Sequence, residues 1–219
     1  MVFDVGVNLF STQFDLDRQD VIDRAKAAGV EGMLLISSDI AESRQNQLEC
    51  SRQTNFFCTA GVHPHYAGSV TADDMQQLKS LLLHGSVVAV GECGLDFNRD
   101  FSPRQAQIKV FEQQLDLAKS TDKAVYLHER DAFPTQLALL KDHQRQHGVA
   151  HCFTGDKLQM QAYLDLGLYI GITGWLCDER RHAQLVQALG YLPLDRLLIE
   201  TDAPYLLPRT LQQKPKNRR

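Results

Sequence analysis

The 219-residue sequence has no CxxC pair, no glycine-rich phosphate loop, no GxGxxG after its first apolar run and no excess of positive charge. Each absence removes a class of protein. Five widely scattered cysteines (Cys50, Cys58, Cys93, Cys152, Cys177) fit neither a zinc ribbon nor a redox pair. Three of them lie in apolar segments, where a reduced thiol behaves as a small buried hydrophobe. The missing glycine motifs argue against a dinucleotide-binding or P-loop enzyme. With 23 Lys and Arg against 27 Asp and Glu, the net charge is −4. A protein that coats DNA without regard to sequence needs a broadly basic surface. An enzyme gripping a few phosphates through a metal and local arginines does not. No apolar run reaches membrane-spanning length, and the N-terminus carries Asp4 and Asn8 with no basic segment before them. The expectation is a reduced, cytoplasmic protein that does not engage a membrane.

What the chain does contain is a repeated unit: a short β-branched apolar run, a polar loop, then a stretch of helical periodicity. The runs predict strands at 3–9, 33–37, 57–62, 87–91, 124–128, 149–153, 169–173 and 197–201. Apolar nearly throughout, they suit a parallel sheet buried on both faces. Helical spacing follows over 19–28, 71–83, 157–166 and 180–189. It is clearest after Ser102-Pro103-Arg104-Gln105, which reads as N-cap, N1 proline and capping-box glutamine. Eight strands alternating with helices predict a single (β/α)8 TIM-like barrel domain over 1–219; a doubly wound open sheet is the alternative. No eighth helix is evident after the last strand. Barrels of this kind run to about 250 residues, so a closing C-terminal segment is expected to be missing. Residues 210–219, ending Lys214-Pro215-Lys216-Asn217-Arg218-Arg219, read as a loosely ordered basic tail.

In such barrels chemistry collects at the C-terminal ends of the strands. Polar residues there are Asn8, His63 and His65, Glu92 and Asp96, the run from His128 to Asp131, His151, Glu200 and Asp202. A lone histidine ending an apolar strand is ordinarily structural. Imidazoles and carboxylates collected at one rim are different, because together they form a normal set of ligands for a hydrolytic divalent cation. His84, His143, His147 and His182 fall among polar residues and read as solvated surface.

The segments GVHPH (61–65), GECGLDF (91–97), LHERDA (127–132), HCFTG (151–155) and ETDAPYL (200–206) occur in an order that resembles the TatD family of deoxyribonucleases. Residues 170–175 are similar to the family's seventh-strand region. The resemblance implies a metallo-dependent hydrolase barrel that cleaves DNA with a divalent ion. In the branch nearest the bacterial TatD proteins, it implies a magnesium-dependent 3′→5′ exonuclease on single-stranded DNA and RNA, linked to DNA repair. It further implies that Glu92, His128, His151 and Asp202 hold the metal. The same resemblance makes Asp202 the proton acceptor as well and places His63 against substrate phosphate. Many relatives carry an HxH pair on the first strand, where this chain has Gly6 and Asn8. Glycine has no ligating side chain. Asparagine offers a neutral oxygen that suits a hard ion such as Mg2+ better than zinc, with Mn2+ or Zn2+ as alternatives.

The expected mechanism has the ion binding water and a phosphate oxygen, with Glu92 and Asp202 at the reacting centre. Asn8 faces the substrate, and Arg130 either clamps a phosphate or pairs with its neighbour Asp131. Trp175 and Phe97 are candidates for base stacking, with buried packing the other reading of Phe97. The expected state is a monomer. The rival functions are an amidohydrolase or deacylase on the same barrel, and an inactive truncated fragment.

Overall fold

The structure, a computed structural model, describes residues 2–144 and 147–211. Its centre is an eight-stranded parallel sheet in sequential order: β1 (Val2–Val7), β2 (Val30–Leu35), β3 (Phe56–Ala60), β4 (Val87–Asp96), β5 (Ala124–Arg130), β6 (Gly148–Ala150), β7 (Tyr169–Ile172) and β8 (Leu197–Ile199). Sequential parallel pairing requires each strand to return over the outside of the sheet. The returns carry α1 (Arg18–Ala27), α2 (Ile40–Cys50), α3 (Ala72–Leu81), α4 (Arg104–Thr121), α5 (Phe133–Asp142), α6 (Lys157–Asp165) and α7 (Ala183–Leu189). The open-sheet alternative is thereby excluded.

The main core lies between strands and helices. Ile22, Leu78, Phe111, Leu115, Leu140, Tyr163 and Leu185 come from the helices and pack on Leu35, Cys58, Val90, Val125 and Ile170. Inside the barrel a smaller cluster of Leu34, Ile36, Ala89 and Tyr126 forms a floor beneath the polar rim. α2 and α5, which apolar spacing leaves unread, bury Ser43, Asn46 and Gln136. Asn46 donates to the Ile36 carbonyl and to Ser37 Oγ, so polar side chains do the packing there. The reading of Ser102 as a helix cap is corrected. Its hydroxyl accepts from Gly68 N–H at 2.9 Å and donates to the His65 carbonyl at 2.8 Å, tying the β3 loop to the foot of α4. Pro103 stands at the N-cap without a side-chain bond, and Gln105 closes no capping box.

The β1–β8 seam closes differently from the other strand pairs. A single bridge joins Val7 to Ala203, with Asn8 N donating to the Ala203 carbonyl and Asp202 N to the Gly6 carbonyl. Below it, the buried Asp4 carboxylate accepts from Gly6 N, Thr201 N and Thr201 Oγ1. Among the described residues no helix follows β8, and Val2, Phe3 and Ile199 near the seam are exposed. The basic stretch 214–219 lies outside the described residues.

Candidate active site

The register of the strands sets the spacing of the rim. β4 pairs with β5 as far as Asp96 with Arg130, placing Glu92 beside the strand that carries His128. His151 N donates to the Leu127 carbonyl and Glu200 N to the Ile172 carbonyl, so the last residues of successive strands share one level. Glu92, His128, His151 and Asp202, scattered over 110 positions of sequence, line one cleft of about 740 Å3 with Asn8, His63, His65 and Arg130.

Glu92 is its hub. Its Oε1 lies 2.8 Å from His128 Nδ1, 3.6 Å from His63 Nε2 and 3.9 Å from His151 Nε2, and His151 Nε2 is 3.9 Å from Asp202 Oδ1. The donors form two adjoining groups, His63–Glu92–His128 and His151–Cys152–Asp202, within each of which the ligand atoms lie no more than 4.8 Å apart. Separations of 3–4 Å are what nitrogen and oxygen ligands at roughly 2.1 Å from one cation require. The two donor groups, linked by the 3.9 Å approach of Glu92 to His151, have the chemistry of a divalent-ion site.

Charge follows from this crowding. Burial opposes ionisation of Glu92, but His63, His128 and His151 around it hold its carboxyl well below the usual range. Burial also opposes charge on His128, yet its contacts with Asp96 and Glu92 lift it to about 9. Glu200 and Glu92 likewise outweigh burial at His151 and raise it to about 10. His63 goes the other way, to about 3, through burial and the neighbouring His128 charge. Burial pushes Asp202 up to about 6, partly offset by His151.

Each imidazole is fixed from behind. His151 Nδ1 meets Glu200 Oε2 at 2.5 Å and the Tyr126 hydroxyl at 2.7 Å, which turns Nε2 toward the cleft. Glu200 also accepts from Tyr126 Oη and Cys152 N, so a side chain with no exposed surface has partners on both oxygens. Glycines make room for it. A Cβ at Gly171 would stand 2.0 Å from Glu200 Oε1, and one at Gly6 would stand 2.6 Å from Glu200 Oε2 and 2.7 Å from Tyr126 Oη. On the other side Asp96 Oδ2 lies 2.7 Å from His65 Nε2 and 3.5 Å from His128 Nε2, while its Oδ1 accepts from Asn98 N and Arg99 N. Helix-borne amides clamp these loops: Gln107 bonds both backbone groups of Asp96, and Gln114 both of Val62.

All the rim residues expected to carry chemistry meet in this cleft. The reading of Asn8 through its oxygen changes: its amide nitrogen donates to Asp202 Oδ1 at 2.8 Å, so it orients that carboxylate, whose backbone adopts the left-handed φ of +55°. Arg130 does not pair with Asp131, which accepts from Asn98 instead. Glu200, Tyr126 and Asp96 were missed as positioning groups. Glu200 and Asp96 stand inside quoted motifs but have no visible partner in sequence, and Tyr126 looks like one more apolar strand residue.

A parallel eight-stranded barrel with imidazoles and carboxylates converging at its C-terminal rim defines the class of metal-dependent hydrolases. The profile described as TatD related DNase matches residues 3–219. The 3'-5' ssDNA/RNA exonuclease TatD of Citrobacter koseri is 50% identical over 220 residues, covering 100% of this chain and 85% of that protein. The structure is similar to YJJV, a TatD homolog from Escherichia coli k12, with a TM-score of 0.90 at 29% identity over 98% of this chain and 83% of that one. It is also similar to a TatD family hydrolase from Entamoeba histolytica, with a TM-score of 0.86 at 26% identity over 98% and 80%. The chain belongs to the TatD related DNase family, whose fold and chemistry are those of a metal-dependent nuclease.

Proposed function

We propose that the chain is a 3′→5′ exonuclease on single-stranded DNA and RNA, using one divalent ion, Mg2+, held by Glu92, His128, His151 and Asp202. The convergence of those four side chains on one cleft carries the reading. The match over the whole of this chain to a relative named for that activity supports it. Bound there, the ion supplies an activated water and neutralises charge on the phosphodiester. Asp202, raised to about 6 by burial and steadied by Asn8, takes the proton of the attacking water. His63, kept neutral by burial, donates a hydrogen bond to an oxygen of the scissile phosphate, and the Arg130 guanidinium, without a hydrogen-bond partner among the described residues, donates to the substrate backbone beside it. A second metal in the first-strand position has no support. Gly6 offers no ligand, and the Glu200 carboxylate and Tyr126 hydroxyl fill the space a side chain there would need.

The test uses a 5′-labelled single-stranded oligonucleotide with Mg2+. The expected product is a ladder shortened from the 3′ end, lost in Glu92→Ala and His151→Ala. Full activity in both variants would refute the ligand assignment. Hydrolysis of an amide or ester panel with an intact oligonucleotide would move the enzyme to the deacylase class.

A further inference from the structure

The cleft does not end at the ligand set. A second pocket of about 450 Å3 opens from it and shares Glu129, Arg130, Thr154 and Trp175 with it, continuing to Gln159, Gln184 and Arg181. The indole of Trp175 organises its cationic wall. The Arg181 guanidinium carbon lies 3.6 Å from the ring centroid and that of Arg130 lies 5.5 Å away.

Neither arginine is consumed by the fold. Among the described residues the Arg130 guanidinium has no hydrogen-bond or ion-pair partner, because the adjacent Asp131 is engaged by Asn98. Arg181 gives only its Nε to Asp178 Oδ2, at 2.9 Å, and Asp178 is already shared with Arg180 and Arg209. That leaves the terminal nitrogens of Arg181 without a described partner. The carboxylate of Glu129 on the same wall is turned to the backbone N–H of Ala132. Two guanidinia held by one aromatic face, with donors to spare and amide side chains beside them, make a site for a phosphodiester oxygen.

We infer that this pocket binds the phosphate next to the scissile one, on its 5′ side, with Arg130 and Arg181 as its donors. The inference rests on the exonuclease reading. An enzyme that removes the 3′-terminal nucleotide meets its next phosphate only on the 5′ side, and the pocket is the continuation of the cleft beyond Arg130. It makes the enzyme prefer chains of three or more nucleotides over dinucleotides, by charge and without base preference.

The probe is a trinucleotide whose 5′-side linkage is either phosphate or the uncharged methylphosphonate, with the scissile linkage natural in both. With Mg2+ the wild type is expected to lose about tenfold in kcat/KM on neutralisation of that linkage. Arg181→Ala is expected to lose less than about twofold, and Arg181→Lys, which keeps the charge, to lie between. Equal losses in wild type and Arg181→Ala would overturn the assignment, as would a wild type indifferent to the methylphosphonate. Failure of the wild type to cleave the all-phosphate trinucleotide would instead refute the exonuclease reading on which the inference rests.

Discussion

Two halves of one site solve the same problem by different means. On the β6–β8 side, His151 is backed by Glu200, a carboxylate with no exposed surface, bonded to an imidazole, a tyrosine hydroxyl and a backbone N–H. On the β3–β5 side, His65 and His128 share Asp96, whose other oxygen is held by two loop N–H groups. Both arrangements set an imidazole's direction with a carboxylate. They differ in what the fold must provide. A fully buried charge survives only with every partner in place, so Glu200 depends on glycine at 6 and 171 and on Tyr126 reaching across the barrel. Asp96, as buried as Glu200, is the last residue of β4 and depends on the Gln107 side chain that bonds both its backbone groups. The first half is held by a side chain that crosses the barrel, and the second by a helix amide and the N–H groups just after β4.

That contrast predicts a graded set of failures. Glu200→Ala should be the most damaging, because it leaves Cys152 N without its acceptor and His151 Nδ1 with only the Tyr126 hydroxyl in a buried space. The expected cost is about 3–5 kcal/mol in denaturant unfolding, with loss of metal-dependent activity. Gly171→Ala should resemble it, since the new methyl would overlap Glu200 Oε1. If Gly171→Ala unfolds like the wild type, the glycine cradle is not needed. Asp96→Asn should be milder for the fold yet weaken Mg2+ by about 10–100-fold in calorimetric titration. An unchanged affinity would mean that His128 needs no carboxylate behind it.

A smaller effect concerns the seam that both halves rely on. Burial is the main cause raising the Asp4 pKa above its ordinary 3.8, outweighing the hydrogen bonds from Thr201 and Gly6. A carboxyl so shifted stabilises the fold fully below 3.8, and that contribution is lost as pH rises through its folded value. The stability of the wild type relative to Asp4→Asn should therefore fall with rising pH across the carboxylate range. A difference that rises with pH would reverse the sign. Smallest of all, His143→Ala should change stability by less than about 0.5 kcal/mol, because its one ion pair among the described residues is with the exposed Asp116 carboxylate.

The barrel was legible because its strands are uniformly apolar and its strong helices periodic. Ile108, Phe111, Leu115 and Ala118 predict α4, and three of them are fully buried. α2 and α5 were not legible, because part of what they bury is polar: Ser43, Asn46 and Gln136 pack by hydrogen bonding backbone, which leaves no apolar stripe to read. The same blindness explains Ser102. Its position suits a cap, but a tertiary partner took the hydroxyl.

For the site, residue type and place at a strand end gave a list of rim residues, and the family resemblance singled out Glu92, His128, His151 and Asp202 among them. A parallel barrel brings all its strand ends to one rim, whatever their separation in sequence. Sequence alone therefore determined the class of fold, the family and the residues that face the cleft. Only the tertiary structure decided what stands behind them. Which carboxylate turns His151, why position 6 is glycine and whether Arg130 is free all depend on contacts across the barrel of a few ångströms, and no spacing along the chain encodes those.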